Sequence, residues 1–99
     1  MRIALVLTAA LAIPLAALAQ GADPNLGRNL SAGCTNCHSA TGKSATGIPS
    51  IGGQPKELML NTLKEFRAGT RPATIMHQHA KGYTDAQLEL IAAYFAAQK

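Results

Sequence analysis

The sequence predicts an all-α domain, and three observations lead to this class. Apolar residues recur at helical spacing in two segments, and no segment alternates between apolar and polar residues as a half-buried β-strand would. The chain is also short, with 99 residues that include no tryptophan, two tyrosines and two phenylalanines. A domain of this size usually needs a disulfide, a metal or another cross-link for stability. We therefore expect three to four helices whose side chains alone do not form a sufficient core, so that a cross-link or a bound group contributes to stability.

The N-terminal segment carries the pattern of an export signal. Arg2 supplies one positive charge, residues 3–18 are mostly apolar, and the run ends in the small-x-small pattern that signal peptidase accepts. A transmembrane helix needs about 20 apolar residues, and this run is shorter and contains a proline. We expect residues 1–19 to be a cleaved signal peptide and residues 20–99 to be the domain, which makes the mature protein periplasmic. A retained N-terminal anchor is the alternative.

The first helix of the domain is predicted over residues 24–33. Asp23 can serve as its N-cap, and a proline stands at the first helical position, where proline is tolerated. Gly27 and Gly33 are poor helix formers, so they either permit close packing or mark helix ends. Residues 34–38 are expected to continue this helix as a final turn.

A loop is predicted over residues 39–55, which are rich in Gly, Ser, Thr and Pro and show no periodicity. At about 17 residues this loop is long for a compact domain, and such loops usually have a functional role or a ligand to pack against. Its sizeable apolar residues are Ile48, Pro49 and Ile51. We expect these three to make the inward contacts.

The two remaining helices have the clearest patterns. Residues 57–68 form an amphipathic helix that ends at Gly69, and residues 71–82 then read as an extended loop with about one turn. Thr84 with Gln87 three residues later forms a capping box at the start of the last helix. The positions expected to face the core are Met59, Leu60, Leu63 and Phe66 in the first of these helices, and Leu88, Ile91, Ala92 and Phe95 in the last.

One short motif carries chemistry. Cys34-Thr35-Asn36-Cys37-His38 has the spacing of a c-type haem attachment site. Residues three apart lie on one face of a helical turn, so both thiols can reach the two vinyl groups of one porphyrin. The histidine, four residues after Cys34, can project over the ring and ligate the iron. We predict one covalent haem c, held by thioethers to Cys34 and Cys37, with His38 as an iron ligand.

Other uses of the cysteine pair are less consistent with the sequence. A thioredoxin-like dithiol needs a βαβ frame, which this sequence lacks. A zinc site needs further ligands, which His77 and His79 would have to supply in a Cys2His2 set. A disulfide in an exported chain is the third alternative.

The second axial ligand is not fixed by the motif. The candidates that follow it are Met59, Met76, His77 and His79. Met59 falls in the apolar stripe of a helix, where methionine usually serves packing, whereas Met76 lies in an irregular segment that can bring its sulfur to the iron. The pattern favours Met76. Ligation by His77 or His79, or five-coordinate iron with an open face, are the alternatives.

With these motifs in place, the domain resembles a small class I cytochrome c over nearly all of residues 20–99. The glycine-rich loop, the central amphipathic helix and the C-terminal helix contribute to the resemblance. Several shorter segments are similar to the haem subunit of flavocytochrome c sulfide dehydrogenase and to related periplasmic monohaem cytochromes. The segments that carry it are Gly27-Arg28-Asn29-Leu30, and, more specifically, Ala73-Thr74-Ile75-Met76, Ala80-Lys81-Gly82-Tyr83 and Ala93-Tyr94-Phe95.

The resemblance implies a class I cytochrome c fold, with three to four helices wrapped around one covalently bound haem. It implies His38 and Met76 as the axial iron ligands. It also implies that the Pro49 carbonyl accepts a hydrogen bond from the other ring nitrogen of His38, which would fix the ring and its tautomer. Gly27 and Tyr94 would mark the crossing of the first and last helices.

The function that follows is one-electron transfer and not catalysis by this chain alone. The protein would be either a free periplasmic carrier or the haem subunit of a sulfide-oxidising flavocytochrome. A haem sensor or peroxidase with an open iron site is the alternative. The expected partners are a flavoprotein dehydrogenase as donor and an oxidase or another cytochrome as acceptor. Nucleic acid is not expected, and neither is stable membrane insertion once the signal has been removed.

The charge of the chain gives a weaker indication of its partners. The formal net charge is +4 at pH 7, and a basic rim would suit an acidic partner. An ordinary solvated surface is the alternative. The residues that would form this rim are Lys56, Lys64, Arg67, Arg71 and Lys81.

Overall fold

The computed structural model describes residues 23–98, and within this range the chain forms four helices and no strand. The predicted all-α class is therefore confirmed. The predicted signal peptide at residues 1–19 lies outside the described residues. None of the helices in the described range is long and apolar enough to cross a membrane. The helices are α1 (Leu26–His38), α2 (Lys56–Ala68), α3 (Met76–Ala80) and α4 (Asp85–Ala96).

The start of α1 differs from the prediction. Asp23 does not cap the helix, because its carboxylate accepts a hydrogen bond from the Asn25 amide at 2.9 Å and its carbonyl accepts from the Leu26 amide at 3.2 Å. Aspartate bonds the amide two residues on in this way in turns. The helix consequently begins two residues later than expected, with Asn25 at the N-cap. The predicted final turn over residues 34–38 is confirmed.

The end of α2 and the start of α4 agree with their sequence patterns. Gly69 follows α2 with φ 75° and ψ 13°. Its amide donates to the Phe66 carbonyl, and the Thr70 amide donates to the Glu65 carbonyl, which is the Schellman arrangement. At α4 both halves of the capping box form, since the Thr84 hydroxyl accepts from the Gln87 amide and the Gln87 side chain accepts from the Thr84 amide.

The core lies between α4 and its two neighbours. α4 packs against both α1 and α2, and α2 also packs against α3. The predicted inward face of α4 is confirmed, because its four residues are at most 1% exposed. α1 crosses α4 at Gly27, where a Cβ would lie 3.0 Å from the Leu90 carbonyl oxygen and 3.7 Å from the Tyr94 Cβ. The glycine therefore serves close packing. The buried residues of the core cluster are Met59, Leu60, Leu63, Leu88, Ile91, Ala92 and Phe95.

Three of the five cationic residues predicted to form a basic rim are paired with carboxylates. Lys56 lies 3.0 Å from Glu89, Arg71 lies 2.8 Å from Glu65, and Arg67 bonds Asp85. Two of these pairs join α2 to the first half of α4. Exposed pairs of this kind contribute little stability individually. Their main effect is to neutralise three of the five rim cations.

Candidate cofactor site

A cavity of about 520 Å³ lies between the four helices and the loop over residues 39–55. Its volume is within the range of roughly 300–1,000 Å³ that is usual for small-molecule and cofactor sites. Most of its walls are apolar side chains of the core and the loop. The residues of the predicted site that line it are Cys34, Cys37, His38, Pro49 and Met76.

The two cysteines reach this cavity from the last turns of α1. They are three residues apart, and neither takes part in a disulfide. Cys34 is half-buried and Cys37 is exposed. Burial raises the pKa of the Cys34 thiol, and the neighbouring Cys37 raises it further. A reactive dithiol of the thioredoxin kind has a lowered pKa instead, so the environment of Cys34 does not favour that alternative.

His38, the last residue of α1, is buried, with 7% of its surface exposed. Its Nδ1 lies 2.5 Å from the Pro49 carbonyl oxygen. Because a carbonyl oxygen can only accept, Nδ1 carries the proton in this contact, and in the neutral imidazole Nε2 then has a free lone pair. A histidine with this tautomer can ligate a metal through Nε2. The contact is the one that the resemblance implies for Pro49.

The loop places Pro49 through contacts of the main chain. The Gly42 carbonyl accepts hydrogen bonds from the amides of Ile51 (2.6 Å) and Gly52 (2.9 Å), which brings the two ends of the loop together. A Cβ on Gly42 would lie 2.6 Å from the Gly52 nitrogen, and a Cβ on Gly52 would collide with the Thr41 carbonyl oxygen. This neck therefore requires glycine on both sides. Of the three residues expected to make inward contacts, all line the cavity, although Ile48 remains 40% exposed.

The candidates for the second axial ligand are divided by the fold. Met59, Met76 and His79 all line the cavity, whereas His77 lines a separate recess with Arg71 and Lys81. Met59 is 4% exposed and belongs to the buried core cluster. Met76 is the first residue of α3, is half-buried and packs against that cluster. Since His77 lies in the other recess, the fold does not assemble the Cys2His2 set of the zinc alternative.

Tyr83 is a cavity residue to which the sequence patterns assign no role. Its hydroxyl donates to the Leu30 carbonyl at 3.3 Å, and its own carbonyl accepts from Arg67 at 3.3 Å. Burial is the main cause that raises the pKa of the Tyr83 hydroxyl. Tyr83 thus ties the link before α4 to both α1 and α2. The available signal was its position just before the Thr84 N-cap, where an apolar residue often packs onto the helix that follows.

The residues around the cavity fit a covalently bound haem c. The free thiols of Cys34 and Cys37 lie on one helical face and can form the two thioether bonds. The largely apolar walls suit a macrocycle. The imidazole of His38 has one nitrogen engaged by a carbonyl and the other available, which is the arrangement that orients metal-ligating histidines. A thioether from Met76 is present in the same cavity, and histidine with methionine is an established axial pair for haem.

Comparisons with known proteins agree with a haem c cofactor. A family model described as cytochrome c matches residues 25–99. The cytochrome subunit of sulfide dehydrogenase from Chlorobaculum tepidum is 45% identical over 69 residues, which cover 70% of this chain and 63% of that protein. Cytochrome c4 from Pseudomonas aeruginosa is 35% identical, with 90% of this chain and 45% of the relative covered.

A third relative is named for the process in which it takes part. The thiosulfate dehydrogenase electron acceptor from Thiomonas intermedia is 33% identical over 69% of this chain and 32% of its own length. The chain thus spans less than two thirds of the length of each of these three relatives.

Proposed function

Since the chain belongs to the cytochrome c family, we propose that it transfers single electrons through a haem c with His38 and Met76 as axial ligands. The observation that carries the proposal is one cavity lined by the Cys34–His38 turn and by Met76. Haem c is the covalently bound group of this family, and when bound it supplies one-electron cycling between ferrous and ferric iron.

The chain's own residues would tune and protect this site. The Pro49 carbonyl fixes the His38 ring and holds its proton on Nδ1, which makes the opposite nitrogen a better donor to a metal. Met76 as a thioether ligand favours the reduced form and raises the reduction potential relative to a second histidine. Core residues such as Ile91 and Phe95 form apolar walls of the cavity and would shield a bound macrocycle from water.

The assignment of Met76 as the second axial ligand is tested by replacing, one at a time, the three candidates for this ligand that line the cavity. The ferric wild-type protein should show the weak red absorption band of a methionine–iron bond. Met76→Ala should abolish this band and lower the reduction potential. Met59→Leu and His79→Ala are the matched controls and should keep the band, since Met59 belongs to the packed core and His79 is exposed.

Two outcomes would contradict this assignment. If the band persists in Met76→Ala and disappears in Met59→Leu, the ligand is Met59. If the wild-type protein lacks the band and binds carbon monoxide rapidly, the iron has an open face and the sensor or peroxidase alternative applies.

Export to the periplasm is the second part of the proposal. It is supported by the charged, apolar and small-residue pattern of residues 1–19 and by the haem attachment motif. Mass spectrometry of the haem-loaded protein after expression with its own N-terminus should give a mature chain that begins at Gln20. An intact chain that fractionates with membranes would instead indicate a retained anchor.

The partner is proposed to be a dehydrogenase that donates electrons to this chain. Two relatives support this, because their names describe a subunit of sulfide dehydrogenase and an electron acceptor of thiosulfate dehydrogenase. A sulfide-oxidising flavoprotein is the first candidate donor. If the chain is a bound subunit, a tagged form should co-purify with a flavoprotein in fixed ratio and become reduced when sulfide is added. A tagged form that elutes alone but is reduced by the donor in mixed solution would identify a free carrier.

A further inference from the structure

The chain leaves α1 through a residue in an unusual backbone conformation. Ser39 has φ 71° and ψ 164°, and among residues 23–98 it is the only residue other than glycine with a positive φ. Gly69 at the end of α2 also has a positive φ, but its ψ of 13° is that of an ordinary left-handed cap. The region that Ser39 occupies is essentially restricted to glycine, so a side chain there persists only when surrounding contacts hold it.

Two hydrogen bonds hold Ser39 in this conformation. Its carbonyl accepts from the Gly42 amide at 3.0 Å, and its hydroxyl donates to the Lys43 carbonyl at 2.9 Å. Both bonds bend the chain back immediately after α1. The first closes a tight turn, and the second ties Ser39 to the residue that follows this turn. The bend and the hydroxyl therefore act together on the start of the loop.

The bend at Ser39 is connected to His38 through successive hydrogen bonds within the loop. From Ser39 the chain reaches Gly42, whose carbonyl accepts from the Ile51 and Gly52 amides. Two residues before Ile51, the Pro49 carbonyl lies 2.5 Å from the His38 Nδ1. Because His38 and Ser39 are neighbours, a rotation at Ser39 moves the loop neck relative to the imidazole. The contact between the Pro49 carbonyl and the His38 ring therefore depends on the backbone dihedral angles of Ser39.

We propose that Ser39 is a positioning residue for His38: its bend sets where the Pro49 carbonyl meets the imidazole, and its hydroxyl holds that bend. The inference rests on the proposed function only in that His38 is the iron ligand. Serine combines two properties that neither alanine nor glycine offers. Alanine keeps the strained Cβ without the hydroxyl, and glycine removes the strain but also loses the bond to Lys43.

The test uses the haem-loaded, reduced protein and follows the exchange of the His38 Nδ1 proton with deuterium by NMR. The Ala92 amide, at a fully buried position in the interior of α4, reports global opening and serves as the internal reference. Relative to this reference, Ser39→Ala and Ser39→Gly should both accelerate exchange of the His38 proton by roughly fivefold, the effect of one lost hydrogen bond. Ser39→Gly should also unfold at a higher denaturant concentration than Ser39→Ala, because only the alanine retains the strain.

Ser50→Ala is the matched control. It removes a hydroxyl that accepts from the Ser44 amide at 3.0 Å and lies 3.5 Å from the Ser44 carbonyl, so the lost contacts belong to the same loop but involve neither Ser39 nor Gly42. Exchange of the His38 proton should remain at the wild-type rate in this variant. If Ser39→Ala does not fold, Ser39→Gly supplies the same measurement, because glycine adopts the bend without strain.

Unchanged exchange in the Ser39 variants would overturn the inference, and so would equal acceleration in Ser50→Ala. Equal stability of Ser39→Ala and Ser39→Gly would show that no strain is held at this position and would also overturn it. The proposed axial pair is tested separately by the ferric methionine–iron band of the wild-type protein. A missing band would overturn that pair and leave the exchange result for Ser39 and His38 intact.

Discussion

Helix α4 and the loop over residues 39–55 border the same cavity but are held by different contacts. α4 is held by burial, since its inward side chains are at most 1% exposed. The loop is largely exposed and is held by its main chain, through the Gly42 carbonyl and through a 2.8 Å bond from the Gly53 amide to the Phe95 carbonyl. Substitutions in α4 should therefore mainly lower the free energy of unfolding. Substitutions in the loop should mainly change the contact between the Pro49 carbonyl and His38.

The largest expected effect concerns whether the helices are stable without the attached cofactor. Only eight buried apolar residues form the core among residues 23–98, which is little for a domain of this size. Cys34→Ala or His38→Ala should therefore remove both redox activity and the folded structure, as seen by far-ultraviolet circular dichroism. Thr35→Ala is the control within the motif and should fold, because its hydroxyl bonds only the Ala32 carbonyl of its own helix. A helical, cooperatively unfolding protein without haem would contradict this prediction.

The next effect separates burial from helix propensity within α4. Leu88 is fully buried and Leu90 is 38% exposed, so the same substitution can be compared at both positions. Leu88→Ala should lower the free energy of unfolding by about 2–5 kcal/mol, the usual cost of a large cavity in a core. Leu90→Ala should cost clearly less, because alanine is a good helix former and less buried surface is lost than at Leu88. Similar midpoint shifts in urea for the two variants would show that α4 is not held mainly by burial.

Glycine substitutions in the loop test the other side of the comparison. Gly52→Ala places a Cβ against the Thr41 carbonyl and should open the loop neck, at a cost of about 1–3 kcal/mol. With the Pro49 contact weakened, His38 as the proposed iron ligand would be a poorer donor, and the reduction potential should rise. Gly47→Ala is the control, since a Cβ at this position would meet no atom of the described residues within 4 Å. Its potential and stability should match the wild type, and equal potential shifts in both variants would contradict the role of the neck.

The smallest effect concerns the ion pair between α2 and α4. The hydrogen bond from Arg67 and then its charge hold the pKa of the Asp85 carboxyl below its usual range. The ionised form therefore favours the folded state. This contribution is complete above the unfolded pKa of about 3.9 and is lost as the pH falls through the lowered folded value.

Urea unfolding of wild type and Asp85→Asn should accordingly differ slightly at neutral pH, and the difference should shrink in acid. Asp85 is exposed, so solvent screening keeps the effect small. Asp23→Asn, which changes an exposed aspartate in a turn outside the helices, is the control. A difference that grows as the pH falls would contradict the assigned direction of the pKa shift.

The parts of the fold that the sequence predicted well are those governed by local patterns. The apolar stripe and Gly69 defined α2, and the capping box at Thr84 defined the start of α4. The Asp23 carboxylate could serve either a cap or a turn, and local sequence did not decide between them, so the start of α1 was placed two residues early. The short helix α3 has no period of its own and was expected only as about one turn.

The site was predicted from two different kinds of signal. The spacing of Cys34, Cys37 and His38 is itself a chemical signature, and the family comparison supports haem c. The apolar pattern of the loop predicted that Pro49 faces inward, but its contact with His38 was implied only by the resemblance, because that approach depends on hydrogen bonds between Gly42 and residues about ten positions away. The strained conformation of Ser39 has no sequence signal, since serine is common in turns with ordinary backbone angles.

The ion pairs on α2 and the residues just after it also bear on how a partner finds this protein. Lys56, Arg67 and Arg71 each lie beside a carboxylate, so the fields of the two charges in each pair largely cancel at distances much larger than their separation. Encounter with a redox partner would then be guided over short range by surface shape, and not by attraction across a wide basic face. The rate of electron transfer between freely diffusing molecules should consequently change little with ionic strength, even though the chain as a whole is cationic.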